Sequence, residues 1–370
     1  MRGVAALLVV VYHWPHFFYH GTKPFPVNPP PSPLYSILWP IYQQGLAAVD
    51  LFFCLSGFIF FWLYAGKITG RAVSFKNFGI LRFSRLYPLH FATLLVVLAG
   101  QYLFRHLTGS FFVLPHNDWY HFILQIFFVP NWGWEKGFSF NGPIWSVSVE
   151  VWLYLMFFSL CRLRWTDWKL LIVYSLSGWW LMQSHSWFVG KGILCFFMGG
   201  LAYKLYTKIQ AEWPPIRTKT IVQILAAIWI LIPADHTLQL AYRVWWHLSA
   251  TANYDGIGRT LNMLSEYSYD LFLFPATLVL LALWETQRGT LGRRFSFLGD
   301  ISYASYLLHF PLQLLVMIAA IHWGWPRAWF SQPMTLLAFL LLVVIVSLTC
   351  HRWFEKPAQN WLRKKLLPAK

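Results

Sequence analysis

Apolar residues in this chain fall in long runs, separated by short segments where arginine, lysine, proline and glycine collect. A helix needs about 20 mostly apolar residues to cross the hydrocarbon of a bilayer. Ten runs approach that length: 3–19, 45–65, 88–107, 142–161, 170–184, 188–206, 220–236, 264–285, 301–321 and 334–352. The fifth is short. The connection from Thr108 to Asn141 is expected to hold a partly inserted helix around Phe122–Val129. Residues 20–40 are rich in proline and read as a stiff extended cap rather than a helix. The pattern predicts an all-α fold: a polytopic integral membrane helical bundle of about ten transmembrane helices. It forms a single transmembrane domain over residues 1–370, with no fused soluble domain and no internal repeat.

Composition agrees. The chain is 58% hydrophobic and only 11% charged, where a soluble domain averages about 25% charged. That excludes a soluble two-domain enzyme. The formal net charge of +16 would suggest nucleic acid in a soluble protein. Here twenty-two of the 29 lysines and arginines fall in alternate connections if the N-terminus is inside. The positive-inside rule then gives two cytoplasmic termini and a multi-pass protein of the cell inner membrane, with the lipid bilayer and not nucleic acid as partner. No cleavable signal is visible after Arg2. Cys54, Cys161, Cys195 and Cys350 lie in or at the ends of apolar runs without CxxC spacing, so neither disulfides nor a metal site are expected.

Ionisable groups inside apolar runs carry the chemistry, because hydrocarbon disfavours them unless they pair, line a wet cavity or react. His13 lies about 16 Å into the first run and Glu150 about 13 Å into the fourth, at about 1.5 Å per residue. Both fall near mid-bilayer. They are either a satisfied structural pair or a site that holds and moves a proton. Arg2 and His13 share a face, eleven residues apart. Ser146, Glu150 and Tyr154 recur at i+4 as one polar stripe. Arg82 and Arg85, at i and i+3 just before the third run, suit phosphate recognition or lipid-headgroup contact. His309 shares a second polar stripe with Ser302, Ser305 and Tyr306, as a core histidine or as lining of the same site. Asp50 and Ser56 are polar positions of the second run, and Ser56 beside Gly57 reads as a close helix contact. Trp119, Trp132 and Trp134 are interfacial anchors or stacking surfaces for a sugar ring.

These segments together resemble the membrane acyltransferase-3 family. Arg2-Gly3-Val4 with Tyr12-His13 resembles its opening segment, which in family members usually follows several further residues. Phe52 to Phe58 reads Phe-Phe-Cys-Leu-Ser-Gly-Phe, like its second span. The Arg82-x-x-Arg85 pair before Pro88, Trp145-Ser146 with Glu150, Leu298 to Tyr303 with His309, and Phe354-Glu355-Lys356-Pro357 follow in the family's order. The resemblance implies a ten-helix membrane O-acetyltransferase that takes acetyl from acetyl-CoA and places it on a carbohydrate hydroxyl. The acceptor would be a lipid-linked or cell-surface glycan. Arg2, His13, Arg82, Arg85 and Glu150 carry over as functional positions.

The expected mechanism holds the phosphates of acetyl-CoA on Arg82 and Arg85 with Arg2. His13 is the general base and Glu150 orients its ring. Transfer is direct or passes through an acetyl-His13 intermediate. The alternative function is a proton-coupled transporter or flippase in which His13 and Glu150 relay protons.

Overall fold

The structure is a computed structural model that describes the chain except residues 27–30, 185, 214, 239, 241–242, 244–260, 262, 290–291 and 368–370. Part of the proline-rich cap and Lys370 lie outside the described residues. The helices are α1 (Arg2–Tyr12), α2 (Tyr35–Gln44), α3 (Ala47–Thr69), α4 (Phe75–Thr108), α5 (Trp119–Ile126), α6 (Ile144–Arg162) and α7 (Trp168–Met182). They continue with α8 (Trp187–Glu212), α9 (Thr218–Leu238), α10 (Tyr269–Arg288), α11 (Ser296–Asp300), α12 (Ser302–His322) and α13 (Pro333–Leu366). Single π-helical turns interrupt α3 at Phe61–Ala65 and α13 at His351–Glu355, and open α10 at Tyr269–Leu273. Among the described residues there is no strand. The protein is an all-α, multi-pass helical bundle.

Among the described residues, eight helices are long and apolar enough to cross a membrane, namely α3, α4, α6, α8, α9, α10, α12 and α13. The first and fifth predicted crossings fall short. α7 has 15 residues. The first run was expected to be helical over 3–19, but α1 ends after 11 residues and a 3-10 helix covers Trp14–Phe18. The cause is Pro15, which has no N–H to give and disfavours helical backbone just before it. The third run is a correction of another kind. α4 has 34 residues, so Arg82 and Arg85 stand inside a continuous helix rather than ahead of it. Ser74 caps that helix by accepting the N–H of Asn77. The extended cap is also shorter than predicted, because Tyr35 to Pro40 already belong to α2.

The chain divides into two compact units. Unit 1 is Met1–Val49, Arg71–Phe158 and Arg294–Lys370. Its central helix is α12, buried on most faces. Pro311 inside α12 cannot donate to the Leu307 carbonyl. Asn141 supplies the missing bond, its Nδ2–H donating to Leu307 O at 3.0 Å. Tyr303 Oη–H donates to Leu86 O of α4, and Tyr306 Oη–H to Pro143 O ahead of α6. The side chain of Gln101 both donates to and accepts from the backbone of Phe112, which ties the following loop to α4.

Unit 2 is Asp50–Gly70 and Ser159–Arg293. Without a hydrophobic effect between helices in lipid, close approach depends on small residues. α7 and α8 form a hairpin joined at Gly178 and Gly190, where a Cβ on Gly190 would lie 2.6 Å from Gly178 O. α3 and α8 meet at Gly57 and Gly199, as Ser56-Gly57 predicted. A Cβ on Gly57 would lie 1.8 Å from Phe196 O, and one on Gly199 1.9 Å from Cys54 O. Those obstacles are backbone, so no rotamer change relieves them.

Gly57→Ala and Gly199→Ala are therefore expected to lower the melting temperature of the purified protein, by about 1–3 kcal/mol of overpacking each. Gly66→Ala is the control. That glycine is helical with nothing within 4 Å of an added Cβ, so its substitution should be neutral or stabilising by up to about 1 kcal/mol.

Candidate active site

Unit 1 brings together most of the residues singled out in the sequence, in two groups. The first is a histidine cluster at the break between α1 and the 3-10 helix. His13 is the residue where α1 stops, with φ −85° and ψ 3°. Its Nδ1 lies 3.0 Å from Val9 O and 3.3 Å from Nε2 of His309. The two rings stack with centroids 5.0 Å apart. His309 Nδ1 is 2.6 Å from Tyr306 O, an acceptor only.

This chain fixes the tautomers by assignment from the hydrogen-bond partners. His309 Nδ1–H donates to the Tyr306 carbonyl, so His309 Nε2 carries a lone pair. That lone pair accepts from His13 Nδ1–H, which also faces Val9 O. The lone pair of His13 is then on Nε2. A neutral imidazole with its proton committed on one side and its base on the other is the form a general base needs.

Gln313 extends the cluster. Its Nε2–H donates to His13 O at 2.9 Å, and its Oε1 accepts from His16 Nδ1 at 3.3 Å. The rings of His13 and His16 are 5.0 Å apart. Reading the sequence missed His16 and Gln313. Both carried a signal, since Gln313 stands at i+4 from His309 on the same stripe, and Pro15 marks the break that turns His16 back toward His13. On the other side of α12, Ser146 Oγ lies 2.8 Å from Tyr306 Oη, so Ser146 connects to the histidines through Tyr306 and His309.

The second group is cationic. Arg2 opens α1. Its guanidinium feels the charges of Arg85, Glu150 and Arg82 together with Tyr154. Arg82 lies over the rings of Phe78 and Tyr154, 5.6 and 5.7 Å from their centroids. Glu150 is half-buried on α6 and hydrogen-bonds with Tyr154. The sequence paired Glu150 with His13. The structure engages His13 Nδ1 with Val9 and His309, and sets Glu150 within reach of Arg2. Arg363, in the tail of α13, adds a further cation that the sequence placed only in a basic cytoplasmic segment. Its Nε–H donates to Ser84 Oγ at 3.2 Å, between Arg82 and Arg85 in sequence.

The loop before α6 holds a third polar group. Asp118 caps α5: its Oδ1 accepts the backbone N–H of His121 at 2.9 Å and the ring Nδ1–H of His121 at 2.8 Å. Ligand atoms of His116, Asp118 and His121 lie within 4.8 Å of one another, a spacing a divalent ion can bridge. However, His121 also accepts the Lys136 N–H on Nε2, so both its nitrogens are already engaged and an ion would have to break one of those bonds. Partial burial raises the Asp118 carboxyl, but the two N–H groups of His121 outweigh it and hold it below the ordinary carboxylate range.

An all-α bundle with eight membrane-competent helices among the described residues is the architecture of a multi-pass membrane protein, and its unit 1 holds an imidazole pair and a group of arginines. The chain belongs to the acyltransferase-3 family, whose acyltransferase domain matches residues 1–352. Among similar proteins, an acyltransferase from Streptomyces mycarofaciens, MdmB, is 34% identical over 120 residues, which is 32% of this chain and 28% of that one. Protein 2 of the picA locus from Rhizobium radiobacter is 35% identical over 99 residues, 27% of this chain and 41% of that one. The chain thus aligns with less than half the length of either relative. No solved structure matches it significantly.

The cap makes a pH prediction. Asp118→Ala should remove about 1 kcal/mol of stability at neutral pH. A carboxyl lowered in the folded state stabilises fully above its unfolded value of about 3.9 and loses that contribution as pH falls through the folded one. Thermal melts should show the wild type converging on Asp118→Ala only below that range.

Proposed function

We propose that this protein is an integral membrane O-acetyltransferase that moves acetyl from cytoplasmic acetyl-CoA to a hydroxyl of a carbohydrate acceptor, a lipid-linked or cell-surface glycan, on the outer side of the bacterial inner membrane. The observation that carries the reading is the His13–His309 contact, which leaves His13 Nε2 as the basic atom. The family's acyltransferase domain and the acyltransferase named among its relatives support the reaction class.

In this reading Arg82, Arg85 and Arg2 hold the phosphates of the donor. Guanidinium groups suit that task by charge and by their forked donors. Glu150 and Tyr154 keep the arginines apart and in register between substrates. The thioester then lies beside His13. Its Nε2 takes the proton of the acceptor hydroxyl as the oxygen attacks the thioester carbonyl. The tetrahedral intermediate collapses, the C–S bond breaks, and the leaving thiolate takes the proton back from the imidazolium. An ester and free CoA result, with no change in the enzyme. His309 does for His13 what a carboxylate does in a triad: it fixes the tautomer and orientation. It does so as a neutral ring, which suits an apolar site.

Purified protein with acetyl-CoA tests this. Wild type should bind the donor and release CoA thiol slowly, and faster with an acceptor. His13→Ala should bind equally but lose about 10²–10⁴-fold in turnover. Arg82→Ala/Arg85→Ala should lose donor affinity by tenfold or more per guanidinium, since hydrogen bonds to charged groups contribute about 1.5–3 kcal/mol. His309→Gln should lower turnover with donor binding unchanged. If wild type neither binds nor cleaves acetyl-CoA, the donor assignment fails, and either another acyl donor or proton-coupled transport takes its place.

A further inference from the structure

Unit 2 contains a buried charge cluster that the reaction above does not use. Lys191 of α8 forms ion pairs with Asp50 Oδ2 of α3, at 3.4 Å, and with Asp270 Oδ2 in the π-helical turn that opens α10. The contact with Asp270 is the closer. The side chains of Lys191, Asp50 and Asp270 are 10%, 10% and 2% exposed. All three residues stand in the first two turns of membrane-competent helices. The rings of Trp187 and Tyr267 flank the ammonium at 5.9 and 5.4 Å.

The charges do not balance. Two carboxylates face one ammonium, and among the described residues Lys191 is the only cation acting on Asp50. The remaining groups around the cluster are neutral except Glu266, an exposed carboxylate next to Tyr267 that adds negative rather than positive charge. α3 adds the thiol of Cys54 and α8 that of Cys195, both fully buried. Tyr267 hydrogen-bonds with Gln183, next to the end of α7. His236 of α9 is engaged on Nδ1 by Ser265 O. An uncompensated charge buried in an apolar bundle is strongly disfavoured, so a cation or a proton has to make up the difference. One atom shows where. Asp270 Oδ1 is buried and has no hydrogen-bond partner. It is a strong acceptor left open beside a second carboxyl: oxygens of Asp50 and Asp270 and the Cys195 sulfur lie within 4.8 Å of one another.

We propose that Asp50, Lys191 and Asp270 form a proton-binding site, in which Asp50 is a neutral carboxylic acid that donates toward Asp270 Oδ1 while ionised Asp270 pairs with Lys191. The longer of the two Lys191 contacts falls on Asp50, in keeping with the ammonium's stronger attraction to the ionised partner. The proton makes the cluster neutral and satisfies the one open acceptor. Sodium is the other cation that an oxygen-lined site of this charge could take, and the test separates the two.

Infrared difference spectroscopy of the full-length protein in sodium-free buffer at neutral pH counts the protons. Wild type minus Asp50→Asn should show the carbonyl band of one protonated carboxylic acid, absent from the variant. Wild type minus Asp270→Asn should show the same band, because removing either carboxylate leaves a neutral pair. Lys191→Met should gain a second acid band, since both carboxyls must then be neutral. The three variants are independent, so one that fails to fold leaves the other two to decide. Added sodium should leave the wild-type band unchanged. Loss of an ionised carboxylate band, with no acid band, in the Asp50→Asn and Asp270→Asn difference spectra would overturn the proposal. So would disappearance of the wild-type acid band on adding sodium, which would make this a sodium site.

Discussion

Inside an apolar bundle a backbone or side-chain polar group without a partner costs several kcal/mol, and this constraint decides where the polar residues of the protein sit. Pro311 shows the rule at its simplest. By withholding an N–H it opens the Leu307 carbonyl, and Asn141 is drawn in to close it. That bond holds the segment before α6 against α12. Tyr306 reinforces the same junction through Pro143 and Ser146. The next polar residue along α12, His309, is thereby fixed in place, and it in turn fixes His13. The geometry of the histidine cluster in unit 1 thus begins with a missing hydrogen bond.

Pro15 acts on the other partner. If α1 continued as a regular helix, His13 would lie mid-helix with its neighbours on a helical face. The break makes His13 the residue that caps the end of α1 and turns His16 back, so that two imidazoles and the Gln313 amide share one small volume. A helix end is also where a backbone carbonyl such as that of Val9 can meet a side chain without disturbing the rest of the ladder.

Much of this was legible in the residues, for a physical reason. Hydrophobic runs report bilayer thickness, and that is why the long helices lie close to where the apolar pattern set them. The i+4 stripes of Ser146, Glu150 and Tyr154 and of Ser305 and His309 report helix faces directly. The sequence did not report which stripe faces which. The sequence paired Glu150 with His13 and read His309 as a core histidine or as lining of the same site, because depth alone does not tell which of the two meets His13. The answer depends on the rotation of α6 and α12, which Asn141 and Tyr306 set through contacts more than a hundred residues apart in sequence. Arg363 was hidden for a different reason. A basic residue in a terminal segment has an ordinary explanation in membrane orientation, and only its bond to Ser84 distinguishes it.

The choice of His309 over a carboxylate has an electrostatic logic that recurs in unit 2. A carboxylate beside His13 would place a full negative charge among apolar side chains whenever the imidazole is neutral, and desolvation would oppose it. A second imidazole fixes the same tautomer with no net charge, because a carbonyl receives its proton. The carboxylates that unit 1 does keep in membrane-competent helices, Glu150 and Glu355, both feel the charge of Arg2 and stand where positive charge is in excess. Unit 2 meets the reverse imbalance with Asp50 and Asp270 around Lys191, and a proton restores neutrality at the least cost in volume. In both units the charge state follows from the surroundings of each group rather than from its residue type. A carboxyl or imidazole in such a chain is therefore read together with every charge that faces it.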